Sequence, residues 1–391
     1  MIQFYLDCNR KMTTMAIDNK DKKVLNVPPL RFPEFTEEWE KYKLSEICSF
    51  FSGGTPSSSK KEYYDGNIPF IRSGELHEEQ TELFITEDGF KNSAAKMVEV
   101  GDLLLALYGA TSGDIAISKI NGAINQAILC IRTEQNKKFI ESIWRKHVGK
   151  LLQTYLQGGQ GNLSADIVKN ISFYFSRIEE QNKLAEFVSL LDERIATQNK
   201  IIEDLKKLKS AISERLFKGI EGSTVLLSDI CDIVKGKQIN GEYLSERGEY
   251  YVMNGGTEPS GYHSDYNVDA NTISISEGGN SCGYVQFNTS PFWSGGHCYS
   301  IQNIADHVDN LYLYHYLKSN EDVIMKLRIG SGLPNIQKKD LAMFKIRVPA
   351  IEQQITISTF LSSLERKAEI EERILNVMQK QKLYLLQQMF I

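Results

Sequence analysis

IEEQNKLAEFVSLLDERIATQNKIIEDLKKLKSAISERLF, residues 178 to 217, and IEQQITISTFLSSLERKAEIEERILNVMQKQKLYLLQQMF, residues 351 to 390, superimpose without a gap at a shift of 173 residues. In the first stretch Leu184, Leu191, Gln198, Leu205 and Ile212 recur every seven residues, with Phe187, Ile201 and Leu208 in the d register and Val188, Ile195, Ile202 and Leu216 beside them. The second stretch places Ile357, Leu364, Glu371, Met378 and Leu385 at the same a positions, flanked by Phe360, Leu361, Ile374, Leu375 and Met389. This is a coiled-coil seam broadened on one side, and two such stripes can bury each other. In an antiparallel pair Gln198 and Glu371 would lie at about the same level, a register device of the kind a polar a position supplies.

The repeat extends beyond the helices. KLSEICSFFSGG (Lys43 to Gly54) aligns with LLSDICDIVKGK (Leu226 to Lys237), and GNLSADIVKNISFYFSRIEEQ (Gly161 to Gln181) with PNIQKKDLAMFKIRVPAIEQQ (Pro334 to Gln354). Between these ends the halves diverge, although NTISISEGG and NLYLYHYLKSN keep the strand and helix order. The unit that is repeated is a globular domain plus a long helix. An α+β chain is expected, with two similar domains joined by two helices packed as an antiparallel coiled coil. The segments are 1-29, an extension without periodicity expected to be disordered; 30-176, a first domain; 177-220, a first helix; 221-348, a second domain; and 349-391, a second helix. Within the first domain Asn67 to Arg72, Asp102 to Tyr108 and Ala123 to Arg132 read as strands, and Phe139 to Leu156 as a helix.

Composition narrows the function. With no run of about eighteen apolar residues and no leader-like start, a cytoplasmic protein is expected. The six cysteines are scattered, with no CxxC, which favours reduced thiols over disulfides or a metal cluster. The acidic surplus lies in residues 219-348, with 10 basic and 15 acidic side chains; net charge of this kind leaves room for local basic faces. Walker A, dinucleotide-binding, nucleophile-elbow and HExxH signatures are all missing, as is the Asn/Asp-Pro-Pro-aromatic string of DNA amino-methyltransferases. The chain reads as a binding protein without catalysis and without a cofactor or metal of its own.

Loops at equivalent places in both halves carry side chains suited to bases and phosphates. They are Lys60, Lys61, Tyr63, Arg72, Tyr108, Gln126, Gln160 and Asn162 in the first half, and Lys235, Lys237, Gln238, Asn254, His263, Arg328, Asn335 and Lys338 in the second. Arg and Lys suit guanine edges and phosphates, Asn and Gln suit adenine, and Tyr packs on sugar or thymine methyl groups. For any one of them taken alone, an ordinary solvated loop residue is the better account. Their place in duplicated loops is what selects the set.

With RFPEF and Trp39, LSEI followed by SGGTPS, IPFIRSGEL (Ile68 to Leu76), GDLLLALYGATSG (Gly101 to Gly113), Asn125-Gln126, GQGNLS, the paired IEEQ and IEQQ, and the LLQQMF ending, the chain resembles the specificity (S) subunit of type I restriction-modification systems. The resemblance implies two target-recognition domains, each reading one half of a split double-stranded DNA site, and a helical spacer. It implies docking of two methyltransferase subunits that carry S-adenosylmethionine, and of restriction subunits that use ATP and Mg. KGKQIN and NGGTEPSGYHSDY in the second domain depart from the family pattern. The residues beside the seam, Val188, Ile195, Ile202 and Leu216, are the first candidates for subunit docking. The rival readings are an adaptor coiled coil with protein- or carbohydrate-binding domains, and a self-sufficient methyltransferase.

Overall fold

The computed structural model describes residues 25–155, 163–330, 332 and 334–391. The chain forms two compact units, Met1–Thr197 with Leu375–Ile391, and Gln198–Ile374. Each long helix is therefore shared: it starts in the unit of its own repeat and ends in the other.

In the first unit the chain runs β1 (Glu40–Lys43), α1 (Leu44–Ile47), β2 (Cys48–Ser52), β3 (Tyr64–Ile71), β4 (Phe84–Ile85), α2 (Glu87–Lys91), β5 (Lys96–Val98), β6 (Leu103–Ala106), β7 (Ile115–Ile117), β8 (Gly122–Ile124), β9 (Ile128–Thr133), α3 (Lys137–Tyr155), α4 (Ala165–Asn170) and β10 (Ser172–Phe175), before α5 (Ile178–Gly219) begins. Two sheets form its core, in the orders β2-β9-β6-β7 and β4-β3-β8-β5, and β1 closes on β10. The apolar run of β6 follows from its place between two cores. Leu103 and Leu105 face a cluster with Phe139 and Trp144, while Leu104 and Ala106 face Ile71, Val98 and Ile124. A strand buried on both faces has no polar side to alternate.

The second unit repeats this plan: β11 (Ser223–Leu226), α6 (Leu227–Ile230), β12 (Asp232–Lys235), β13 (Tyr250–Met253), β14 (Tyr262–His263), β15 (Thr272–Ser276), β16 (Val285–Asn288), β17 (Trp293–Ser294), β18 (Cys298–Gln302), α7 (Asn310–Ser319), α8 (Glu321–Met325), α9 (Lys338–Ala342), β19 (Lys345–Val348) and α10 (Ile351–Met389). Its sheets run β12-β18-β15-β16 and β14-β13-β17, and β11 closes on β19. Both units also place one parallel pair at the same point, β3 with β8 and β13 with β17. The divergent middles therefore share the order of the first sheet and the parallel pair of the second, which has four strands in the first unit and three in the second. At the start of each repeat an acidic side chain caps the one-turn helix, Glu46 accepting from Lys43 N at 2.7 Å and Asp229 from Leu226 N at 3.0 Å.

Ala123 to Arg132 is two strands rather than one. Asn125 Oδ1 accepts from Ala127 N at 3.0 Å, and Asn125 O from Ile128 N at 3.4 Å, so the chain turns at Asn125-Gln126-Ala127 and passes from one sheet to the other. An Asn side chain that mimics a backbone turn breaks a strand that apolar patterning alone would continue. At the amino-terminal end Trp39 N donates to Asn26 O at 2.8 Å, and Leu30 N to Gln388 O at 3.0 Å.

The IEEQ and IEQQ signatures have a common physical basis. Gln181 Nε2 donates to Ser176 O and Gln135 Oε1, both at 2.7 Å, while its Oε1 accepts from Asn136 N at 3.1 Å. Gln354, 173 residues on, repeats the bonds: Nε2 donates to Pro349 O at 2.8 Å and His307 O at 3.0 Å, and Oε1 accepts from Asp309 N at 2.8 Å. Each fully buried amide clamps the start of a long helix to the segment that leads into a domain helix. In the first unit Glu180 adds a second clamp, taking Arg31 Nε and Nη2 at 2.7 Å each and Trp39 Nε1 at 3.1 Å. The RFPEF and Trp39 signature thus converges on one buried carboxylate.

The far ends are plugged by aromatic rings. Phe217, at the end of α5, meets Tyr312 and Tyr316 with centroids 5.8 and 5.2 Å away, and Phe390, its counterpart, meets Phe139 at 5.3 Å and Trp39 at 6.4 Å. Between the ends the two helices pack antiparallel. In the second unit Gln198 Nε2 donates to Glu371 Oε2 at 2.6 Å, Lys206 pairs with Glu372 at 2.6 Å, and Lys209 with Glu365 at 2.7 Å. In the first, Lys382 pairs with Asp192.

The predicted a positions Leu184 and Ile357 are buried, and Leu191, Leu205, Ile212, Leu364, Met378 and Leu385 are half-buried. The seam, however, runs over the a and e positions of α5. Val188 and Ile202 are buried, Ile195 and Leu216 half-buried, while the d residues Ile201 and Leu208 are 40% and 51% exposed. A 3.6-residue helix drifts against a 3.5-residue repeat, which moves the seam off strict a/d positions. The flanking residues expected to dock partners therefore belong to the internal seam. The exposed apolar side chains of the two helices are instead Ile201, Leu208, Ile355, Phe360, Ile370 and Ile374 in the second unit, and Ile178, Leu190, Val377, Leu383 and Tyr384 in the first.

Among the described residues Cys48, Cys130, Cys231, Cys282 and Cys298 are free thiols, and no helix is long and apolar enough to cross a membrane. Cys8 lies outside the described residues.

Two stability measurements check this account. Gln354→Leu leaves the Asp309 N–H and two carbonyls without partners and is expected to lower the unfolding free energy by about 3 kcal/mol in urea; a loss below about 1 kcal/mol would reduce the clamp to an ordinary surface contact. The second concerns His315, which joins α7 to α10 through Ser362 Oγ at 2.8 Å and is held neutral by burial, its pKa pushed down to about 4. The unfolded chain takes up that proton near pH ~6.5. The contribution of His315 is thus fully present above that pH and is lost as pH falls from about 6.5 to 4, by roughly 3 kcal/mol. His315→Gln should flatten this limb of the stability curve; an unchanged acid limb would remove His315 from it.

Candidate nucleic-acid interface

In each unit the loops gather on one edge of the sheets, and backbone hydrogen bonds fix the arrangement. In the first, Gly53 N donates to Asn125 O at 3.2 Å, Leu107 N to Ala127 O at 2.8 Å, and Leu163 N to Leu107 O at 2.9 Å. Arg72 follows β3, which runs parallel to β8, and so reaches the same edge as Asn125 and Gln126. In the second unit Lys237 N donates to Ser294 O at 2.9 Å, Gly295 N to Met253 O at 2.8 Å, Glu277 N to His297 O at 2.8 Å, and Ile336 N to Glu277 O at 2.8 Å.

Two glycines matched by the sequence repeat explain how the loops come so close. A Cβ on Gly53 would sit 1.7 Å from Ile124 O, and one on Gly236 would sit 2.2 Å from Gly295 O. Only a residue without a side chain allows that approach.

The edge of the second unit brings together Lys235, Lys237, Gln238, Asn254, His297 and Asn335. Gln238 and Lys237 are exposed, and Asn254 Oδ1 accepts from His297 N at 3.1 Å. Asn335 is held by a double backbone bridge to Ile329, beside exposed Arg328, and exposed Lys338 opens α9. His263 is partly committed to structure: its Nδ1 accepts from Asp265 N at 3.1 Å and its ring lies 5.0 Å from that of Trp293, whose Nε1 donates to Lys237 O at 3.0 Å. Lys235 pairs with Glu277 at 2.6 Å.

The first unit uses its predicted residues differently. Tyr108 and Gln126 are exposed on the edge, and Gln126 Oε1 accepts from Thr55 Oγ1 at 2.8 Å. Lys60 and Lys61 are exposed in the loop after β2, but Tyr63 is buried, with its hydroxyl accepting from Lys60 Nζ at 2.9 Å. Arg72 is already paired, with Glu75 at 2.7 Å and Glu82 at 2.8 Å. Partial burial by itself would raise the Glu75 carboxyl, but hydrogen bonds, that of Arg72 first, hold it down to about 2. Gln160 and Asn162 lie outside the described residues.

Thr55 and Glu277 were not among the residues proposed from sequence to contact DNA, and Asn125 entered only within the Asn125-Gln126 motif, though all three shape the same edges. The Asn125 turn had a legible signal, an Asn inside an apolar run. Glu277 had none beyond its place in a glycine-rich loop. Exposed cations and amides over two glycine-tightened edges can hydrogen-bond phosphates and base edges.

The family profile described as the type I restriction modification DNA specificity domain matches residues 36–207 and 221–380, once for each repeat. The type I restriction enzyme MjaVIII specificity subunit of Methanocaldococcus jannaschii is 22% identical over 399 residues, an alignment that covers 90% of this chain and 92% of that protein. The crystal structure of the type I restriction-modification system S subunit from M. genitalium superimposes with a TM-score of 0.64 at 18% identity, covering 93% of this chain and 99% of that one. A chain from a study of complex assembly and conformational transition in the type I restriction-modification system gives a TM-score of 0.58 at 16% identity, covering 89% and 96%. These structural likenesses bear on the fold. A profile that falls on both repeats and takes in well over half of the chain identifies it: the protein belongs to the type I restriction-modification DNA specificity family.

Proposed function

We propose that this chain is the non-catalytic specificity subunit of a type I restriction-modification enzyme and works in the cytoplasm. Each unit reads one half of a split double-stranded DNA site through its loop edge. The long helices set the gap between the halves. Two methyltransferase subunits, which carry S-adenosylmethionine, dock on the helices, and restriction subunits that use ATP and Mg complete the complex. The chain itself needs no cofactor.

One observation carries this reading: a single edge architecture is built twice with different side chains, Thr55, Tyr108 and Gln126 in one unit against Lys237, Gln238 and His297 in the other. Equal scaffolds with unequal readers suit an asymmetric, two-part target. Exposed Lys60, Lys61, Lys237, Arg328 and Lys338 supply phosphate contacts, which position the protein without specifying sequence. Membership of the family weighs against the adaptor reading.

Mapping of modified bases in cells that carry the chain and its partner subunits should give a bipartite, non-palindromic motif; a continuous or palindromic motif would overturn the proposal. Docking has its own test, on the apolar side chains that the internal seam leaves out. Changing Ile370 and Ile374 together to Glu should leave the melting temperature of the isolated chain within a few degrees of the original and reduce copurification of methyltransferase subunits at least tenfold. Full retention of those subunits would place the docking face elsewhere.

A further inference from the structure

Strand register makes four positions of the two units equivalent, and all four differ in chemistry. Ser52 opposes Leu129 as Lys235 opposes Tyr299, and Ala106 opposes Ile128 as Ser276 opposes Cys298. One residue further along, Leu107 matches Glu277 and Ala127 matches His297. The backbone bonds agree: Leu107 donates to Ala127 O and accepts from Leu163 N, as Glu277 donates to His297 O and accepts from Ile336 N. Where the first unit has Ser52, Leu107, Ala127 and Leu129, the second has Lys235, Glu277, His297 and Tyr299.

Glu277 is 8% exposed. Its Oε1 takes Lys235 Nζ at 2.6 Å and the Tyr299 hydroxyl at 3.4 Å. Its Oε2 has no hydrogen-bond partner among the described residues and lies 3.6 Å from Nδ1 of His297, whose side chain is 60% exposed. A buried carboxylate oxygen without a donor is costly, and Leu107 demonstrates that this backbone position accepts an apolar side chain. The fold does not ask for the carboxylate, so its lone pairs are there for a ligand.

We infer that Glu277 is a specificity-determining residue of the second domain, its Oε2 accepting a hydrogen bond from the exocyclic amino group of a base, N4 of cytosine or N6 of adenine. Lys235 and Tyr299 are positioning residues that hold Oε1 and leave Oε2 to the DNA, and His297 is the exposed side chain that gives way. In the major groove guanine offers O6 and N7 and thymine offers O4, all acceptors that a carboxylate repels. The element therefore selects an amino-bearing base. This assignment rests on the proposal that the loop edge of the second unit meets DNA.

The test is selection of bound duplexes from a randomised DNA library by the full chain copurified with its methyltransferase subunits, as the original protein, Glu277→Gln and Glu277→Leu. The original should require cytosine or adenine at one position of one half-site, by about tenfold or more over guanine and thymine. With Lys235 on its amide oxygen, the Gln variant presents N–H groups and should invert that preference toward guanine or thymine. The Leu variant should make the position degenerate and leave the other half-site unchanged. A Gln variant that selects the original motif overturns the assignment, whether or not the Leu variant folds. Selection of no split motif by the original protein overturns the DNA-reading proposal itself, a result distinct from an unaltered motif in the variants.

Discussion

The burial of one apolar stripe by its own copy is the constraint on which the rest of the molecule depends. Neither α5 nor α10 can hide its seam alone, and each is far longer than one domain core needs. Each begins under a buried glutamine, Gln181 or Gln354, and ends in an aromatic plug, Phe217 or Phe390, set in the unit of the other repeat. The seam is apolar except where Gln198 meets Glu371 and where Lys209 and Lys382 pair with Glu365 and Asp192, and the Gln198–Glu371 hydrogen bond discourages sliding by a heptad because a slipped register would leave a carboxylate facing leucine. Amphipathic pairing supplies the attraction, and the polar pair with the two clamps supplies the register.

A scaffold fixed in this way leaves the loop edges free to differ. The closing strands, the capped one-turn helices, the parallel pair and the tight glycines at Gly53 and Gly236 recur in both units. The contrast between Leu107 and Glu277 illustrates the latitude: one backbone site carries a core side chain in one unit and a charged one in the other. The faces of β6 and β15 diverge in the same manner. Leu104 and Ala106 pack into an apolar layer, whereas Ser274 and Ser276 hydrogen-bond to Asn288 and to Gly255 O. Polar groups inside a domain persist when every bond is made; Glu277 Oε2 is, with Ser176 Oγ, Gln286 Oε1 and Asn310 Oδ1, one of four buried side-chain atoms without a partner among the described residues.

The legible part of the site was its position in the chain; the use of each side chain was less so. Gln126, Tyr108, Lys237, Gln238 and Asn335 were readable because the repeat marked their loops as equivalent. Tyr63 and Arg72 look the same in sequence, but Tyr63 is buried and Arg72 is already paired with Glu75 and Glu82. No local pattern records which cation already has a partner ten residues away. The same limit applied to Val188 and Ile202, whose burial depends on which side of α5 its copy chose.

The sequence by itself determined the duplication, the two long helices, their common polar level and the family, because heptad spacing and internal repetition are local and need no coordinates. Tertiary structure decided which apolar residues lie in the seam and which face outward, how Asn125 turns one apolar run into two strands, and how five separated loops of the second unit meet around Glu277. Those outcomes depend on hydrogen bonds and packing between residues tens to hundreds of positions apart, where the energy of a side chain is set by its neighbours in space and not by those in the chain.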